Sequence, residues 1–311
     1  MKLGVVIQGP LVSTGRTGAT VDVSIEQTTE TDIVVYDCLP AINSIWQHHR
    51  EYADDLIVVL WSNEPAEKVE AVRAIVGDKH IVIVDDDTKT VHDRNSKLLP
   101  TNNKLRQFRS TLAGIQALEK RGCDTILKVR SDQIGNFAPL IEVFRKLAAT
   151  SPKTAQRKVI LPAYRVGNPI HFMDFYFVAH LTTLKNLCHN FLNNQEIHDS
   201  IHIDLFFRCA NMLGTKSLYP ASILAKFRHT RASLTFAAKA WQAHFMPGSK
   251  ETYRSIIWRG ACFTEDHIKM HIFDEEFPSR PHSALTELKG GKPLPIAYLR
   301  SLIQFSHNQV N

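Results

Sequence analysis

The sequence predicts an α/β protein with a mostly parallel central sheet flanked by helices and a mainly helical C-terminal extension. Three observations carry this reading. Short apolar runs without polar alternation recur through the first two thirds of the chain, segments of helical period lie between them, and the alternation fades beyond about residue 215. The runs are residues 3–7, 56–61, 80–84, 125–129, 159–161 and 175–179, rich in Val and Ile and short enough for strands buried on both faces. The clearest helix follows Thr101 and Asn102, which can cap it, and sets Leu105, Phe108, Leu112 and Ile115 on one face. Residues 15–31, rich in Thr, Gly and Ser, read as a mobile loop over a site. Past residue 215, Pro247-Gly248, Pro278, Pro281 and Gly290-Gly291 punctuate short helices. The expected division is a sheet domain over 1–215 and an extension over 216–311.

With 311 residues and 44% hydrophobic content, the chain can bury a sizeable core, which excludes disorder. Its net charge of +6 is unevenly placed. Residues 1–215 hold 24 basic and 24 acidic side chains, whereas 216–311 hold 13 and 7. That basic tail prompts a nucleic-acid-binding reading, but 22% charged residues and no recognisable binding motif leave no phosphate-tracking surface in view. In the tail, Lys226, Arg228, Arg231 and Lys239 interleave with Phe227, Phe236, Trp241 and Phe245, a pattern that fits either docking on an anionic membrane or an amphipathic helix packed on the core. No apolar stretch is long enough to cross a bilayer, and the run 3–7 is broken by Gln8, Gly9 and Pro10, so the expectation is a cytoplasmic protein, with peripheral attachment to the inner face of the membrane through the tail. Five cysteines without a CxxC pair read as reduced core thiols.

Ligands of open α/β sheets bind at the carboxyl ends of the strands, so polar residues there are the first candidates. Gln8-Gly9-Pro10 ends the first run; Gly permits close backbone approach and Pro fixes the turn, though a plain tight turn explains the same residues. Arg130-Ser131-Asp132 places a cation and a carboxylate together, suited to a divalent cation bridging phosphates or to a solvated turn. Asp85-Asp86-Asp87 reads by default as a solvated turn, with nucleotide or metal contact as the alternative. Lys104, Arg106 and Arg109 crowd a helix start, where the macrodipole disfavours cations. A bound anion would remove the conflict, making a diphosphate cradle, unless the side chains reach to water. Asp174, opening an aromatic run, is either a desolvated acid or base or a structurally paired carboxylate. His198 and His202 have the spacing of a zinc helix but lack the Glu that metal-assisted hydrolysis uses; a metal-dependent hydrolase is the third reading.

In order and spacing, residues 5–10 (Val-Val-Ile-Gln-Gly-Pro), Leu60-Trp61-Ser62, residues 102–111 (Asn-Asn-Lys-Leu-Arg-Gln-Phe-Arg-Ser-Thr), residues 126–132 (Ile-Leu-Lys-Val-Arg-Ser-Asp) and residues 171–176 (His-Phe-Met-Asp-Phe-Tyr) resemble the WavE family of lipopolysaccharide-synthesis proteins. The resemblance covers about residues 1–210. It implies a GT-A-like, Rossmann-related fold and transfer of a sugar from a nucleotide-activated donor to a lipopolysaccharide, capsular or other surface glycan, free or lipid-linked. It also implies that Gln8, Gly9, Pro10, Asn103 and Arg106 hold the nucleotide, and that Arg130-Ser131-Asp132 occupies the place of the Asp-x-Asp metal motif. Asp132 would then be the ligand of Mn²⁺ or Mg²⁺, with Arg130 beside the phosphates and Asp174 the base near the acceptor. The first Asp of that motif is Arg130 here, and an arginine neutralises phosphate by itself.

Overall fold

A computed structural model describes residues 1–22, 29–86, 91–92, 98–99, 103–165, 168, 170–193, 201–216 and 231–273. In chain order the strands are β1 (Leu3–Gln8), β2 (Val12–Gly15), β3 (Val34–Asp37), β4 (Asp55–Trp61), β5 (Ile81–Val84), β6 (Val91–His92), β7 (Leu98–Leu99), β8 (Thr125–Arg130), β9 (Gln133–Ile134), β10 (Val159–Leu161), β11 (Tyr164–Arg165), β12 (Phe177–His180), β13 (Phe245–Pro247), β14 (Ile257–Trp258), β15 (Ala261–Cys262) and β16 (His271–Ile272). The helices are α1 (Leu39–His48), α2 (Ala66–Val76), α3 (Asn103–Lys120), α4 (Ala138–Thr150), α5 (Pro152–Ala155), α6 (Leu181–Asn193), α7 (Ile201–Met212), α8 (Arg231–His244), α9 (Lys250–Ser255) and α10 (Glu265–Lys269).

Seven strands form the central sheet in the order β13-β10-β12-β8-β1-β4-β5. All six runs anticipated from sequence supply one of them. The neighbours β1, β4, β5 and β8 are mutually parallel, as are β10 and β13, while β12 runs antiparallel to both β8 and β10. One strand therefore opposes six. Both faces are covered, so successive residues enter different cores: Val6 of β1 joins Phe108, Ile115 and Phe206, whereas Val5 and Ile7 join Ile42, Val72 and Phe144. The face of α3 expected from its period is buried at Leu105, Phe108 and Ile115.

The extension beyond residue 215 enters the same structure. Residues 245–247 add the edge strand β13, and Phe236, Trp241 and Phe245 are buried in the core. This corrects the membrane-docking reading for these three rings, which pack against Phe206 and Tyr164. Phe227, Lys226 and Arg228 lie outside the described residues. Of the loop expected over 15–31, Gly15 ends β2, residues 16–22 are turn and coil with Arg16 and Val21 lining the cavity described below, and residues 23–28 lie outside the described residues; the Gly18 N–H donates to the Trp258 carbonyl at 3.1 Å, tying the segment to the extension. Four cysteines are buried free thiols, but Cys262 is exposed. No helix among the described residues is long and apolar enough to cross a membrane.

Candidate functional site

A cavity of about 900 Å³ opens at the carboxyl ends of β1, β4 and β8, lined by Gln8, Trp61 and Arg130 from those ends and by Arg16, Arg106, Arg165 and Arg259. Two turns form its floor. Gln8-Gly9-Pro10 and Arg130-Ser131-Asp132 lock together because the Ser131 N–H donates to the Gln8 carbonyl (2.9 Å) and the Ser131 hydroxyl to that of Pro10 (2.8 Å). Gly9, at φ +138°, has no room for a side chain: a Cβ would stand 2.3 Å from Ser131 Oγ. Gln8 is buried, its Oε1 accepting from the Ser110 hydroxyl of α3 at 3.2 Å.

Asp132 is the most heavily bonded of these residues. Arg130 grips it through two donors, Nε to Oδ1 and Nη2 to Oδ2, both at 2.9 Å. Oδ2 also meets the Ser13 hydroxyl at 2.9 Å, Trp258 Nε1 at 3.2 Å and Arg259 Nε at 3.0 Å. Burial alone would raise this carboxyl, but Arg130 and Arg259 outweigh it and hold it far below the usual carboxylate range. Trp258 lies beneath both guanidinium groups, 4.8 Å from that of Arg259 and 5.8 Å from that of Arg130.

Trp258 and Arg259, absent from the sequence reading, arrive through β-pairing. β14 pairs with β9, directly after Asp132, in a register that sets Trp258 opposite Gln133. The Arg259 N–H then donates to the Asp132 carbonyl at 3.0 Å. Arg259 takes a left-handed conformation, φ +48°, uncommon for a residue with a side chain and costing on the order of 1–3 kcal/mol. The Trp-Arg-Gly sequence before a tight turn was the one local signal available for it.

Asp174 reaches the cavity because β12 is reversed: the segment entering an antiparallel strand lies at the edge where its parallel neighbours end. Its backbone carbonyl accepts from Lys128 Nζ. With its amide oriented by the charges on either side, Gln107 donates to Asp174 Oδ2 and accepts from Lys128 Nζ, both at 2.9 Å. Oδ1 stands 3.7 Å from His202 Nδ1. Burial would raise Asp174, but His202, Lys128 and Arg130 leave it below its ordinary value, an ionised carboxylate in a buried setting. Lys128 is fully enclosed, and burial brings it down to about 7 against the pull of Asp174.

The remaining candidates separate. Arg106 lines the cavity, stacks at 4.8 Å on Trp61 and pairs with Asp86 at 3.2 Å. The anion that relieves this cation at the helix start is thus Asp86, a side chain, where the sequence reading invoked a diphosphate. That pairing also replaces the solvated turn expected at Asp86; Asp87 lies outside the described residues. Asn103 is the first residue of α3. His198 lies outside the described residues, and His202 Nδ1 faces the Phe172 carbonyl at 2.9 Å.

The donor set around Asp132 does not fit a divalent cation, correcting its expected role as a metal ligand. Both carboxylate oxygens already face N–H and O–H donors, and two guanidinium cations stand where a metal would have to approach. Among the described residues no group of three or more His, Cys, Asp or Glu side chains could hold a metal ion.

No family model matches the chain, and no curated protein matches it. Among solved structures it is similar to a protein described as a glucose-1-phosphate thymidylyltransferase from Bacillus anthracis (9% identity over 60% of this chain and 74% of the other, TM-score 0.33). It is also similar to a cytidylyltransferase from Leptospira borgpetersenii (11%, 60% and 63%, 0.31) and to a protein described as mannose-1-phosphate geranyltransferase from Thermus thermophilus (12%, 66% and 67%, 0.28). The chain spans less than two thirds of the second. Likenesses this loose assign no residue.

Proposed function

We propose that this chain is a cytoplasmic glycosyltransferase of the kind its WavE resemblance implies, moving a sugar from a nucleotide-activated donor to a lipopolysaccharide or other surface glycan. The observation that supports the reading most is the cavity itself: it lies at the ligand-binding end of the sheet, and its cationic wall faces two aspartates already bound to basic groups. An anionic ligand completes such a wall, and a sugar linked to a diphosphate combines that anion with a transferable group.

In this reaction the acceptor hydroxyl oxygen bonds to the anomeric carbon, the bond from that carbon to the phosphate oxygen breaks, and the electron pair leaves with the nucleotide. The hydroxyl proton passes to a base. Asp174 suits that task, being ionised, at the cavity wall, and held by Gln107 and Lys128 beneath it. In this reading Gln8, the Gly9 turn and Arg106, which rests on Trp61 and pairs with Asp86, are the nucleotide contacts.

A thermal-shift panel of UDP-, GDP-, CMP- and dTDP-sugars tests the reading, because a ligand that binds only the folded chain raises its melting temperature. One nucleotide class is expected to raise it by several degrees, and the same sugar to be transferred when surface glycans are supplied. Failure of every member of the panel to bind would overturn the proposal.

A further inference from the structure

We propose that Arg130 and Arg259, joined through Asp132, hold the diphosphate of the donor without a divalent cation. This rests on the nucleotide-sugar reading above and specifies how that site handles charge.

The first argument is stoichiometric. Two guanidinium groups share the carboxylate of Asp132, and Asp174, the other carboxylate acting on Arg130, also answers Lys128 and His202, so the cluster keeps a surplus positive charge, with Asp132 buried and the Arg259 side chain only 11% exposed. A buried, uncompensated cation is costly, and a ligand anion is the missing partner. A metal ion would enlarge the surplus instead of balancing it.

The second argument is geometric. Arginine has five N–H donors. Arg130 spends donors of Nε and Nη2 on Asp132. Arg259 uses Nε toward Ser13 and Asp132 and Nη1 toward the Arg16 carbonyl, at 2.9 Å. Arg130 Nη1 and Arg259 Nη2 make no hydrogen bond among the described residues, and both side chains line the cavity. Asp132 thus takes up Nε of both side chains and leaves Arg130 Nη1 and Arg259 Nη2 for phosphate oxygens.

The third observation concerns what holds the pair in place. The left-handed backbone of Arg259 and the bare Cα of Gly15, where a Cβ would lie 2.4 Å from Arg259 Nη1, both serve to seat this guanidinium. When the glycosyl bond breaks, negative charge grows on the departing phosphate oxygen. Donors already oriented toward it stabilise it with no rearrangement.

The test titrates UDP, GDP, CDP and dTDP separately into the wild-type chain, once with EDTA and once with Mn²⁺, by calorimetry, while the electron-spin-resonance signal of free Mn²⁺ reports any ion taken up by the protein. The expected result is a dissociation constant for the preferred nucleotide that agrees within about threefold between the two buffers, and no Mn²⁺ bound by the protein alone. Arg259→Lys, which keeps the charge and loses the fork, should weaken binding at least tenfold in both buffers, with circular dichroism showing the variant folded. Binding that needs Mn²⁺, or gains tenfold or more from it, overturns the inference and leaves the nucleotide-sugar reading standing. Absence of binding in both buffers overturns the inference, and if CMP titrated in the same way also fails to bind, the nucleotide-sugar reading falls with it.

Discussion

Arg259 Nε stands 3.0 Å from Asp132 Oδ2, and the backbones of the same two residues are joined by a 3.0 Å hydrogen bond. A late segment of the chain is thus pinned to the turn after β8 at both side chain and main chain. Asp132 stands between two cations that would otherwise face each other with no counter-charge, so its first role is to hold the site together.

Asp132→Asn should therefore destabilise the fold by about 3–5 kcal/mol in urea denaturation at neutral pH, the cost of removing one partner from a buried ionic group. The depressed carboxyl fixes the sign of the pH dependence. Its stabilisation is complete above the ordinary carboxylate range and is lost as pH falls through its own lower value. The gap between wild type and variant should be constant above about pH 5 and shrink in stronger acid. Equal stability at pH 7 would show that the two arginines need no shared carboxylate.

Gly15→Ala places a Cβ 2.4 Å from Arg259 Nη1, and Gly77→Ala, at φ +79°, meets nothing within 4 Å. The second measures backbone strain alone, on the order of 1–3 kcal/mol, since φ +79° with ψ 151° lies in a region that side chains rarely adopt. The first, also at a positive φ, adds displacement of the guanidinium and should cost about 1–3 kcal/mol more. Melting curves of the two variants compare them directly, and similar losses would mean that Arg259 yields without resistance.

Asp174→Asn keeps the shape and the acceptor for Gln107 while losing basicity. Turnover should fall by about 10²–10⁴-fold with donor affinity nearly unchanged, the pattern of a lost proton acceptor. Weakened donor binding with unchanged turnover would move Asp174 to the donor side of the site.

His271 pairs with Arg165 across β11 and β16, and burial lowers its pKa to about 4. The unfolded chain takes up this proton first as pH falls, near the ordinary value of 6.5. Stability present above pH 6.5 is accordingly lost on the way down to pH 4, by about 3 kcal/mol. Denaturation curves at pH 7.5, 5.5 and 4.5 should show a slope that His271→Gln flattens. An unchanged slope would assign acid sensitivity to other groups.

The six sheet strands were legible because each is a compact apolar run buried on both faces, a pattern that needs no partner to be recognised. β13 was not, since Phe245-Met246-Pro247 is too short and proline-ended to stand out; it becomes a strand only because β10 offers it an edge. Nor does any residue of 177–180 announce that β12 runs backwards. Arg130 and Asp132 stood out by their place at a strand end and Asp174 by opening an aromatic run, whereas Arg259 sits in a two-residue turn between β14 and β15 whose importance comes from a partner far away in the chain. Lys128, a charge inside an apolar run, was not singled out from the sequence, because what it supports, Asp174, is brought beside it only by the pairing of β12 with β8.

The docking of β14 on β9 also sets an order of events at the ribosome. Synthesis proceeds from the N-terminus at roughly 5–20 residues per second, so β1, β4, β5 and β8 can assemble on the order of ten seconds before Arg259 exists. Through that interval Arg130 is the one of its two arginines that Asp132 has, beside the Ser13 hydroxyl, and the far edge of β10 stands open until β13 is made. The surplus positive charge appears last. A nascent or interrupted chain would present the sheet without Arg259, and on the reading proposed above would lack half of the grip on phosphate.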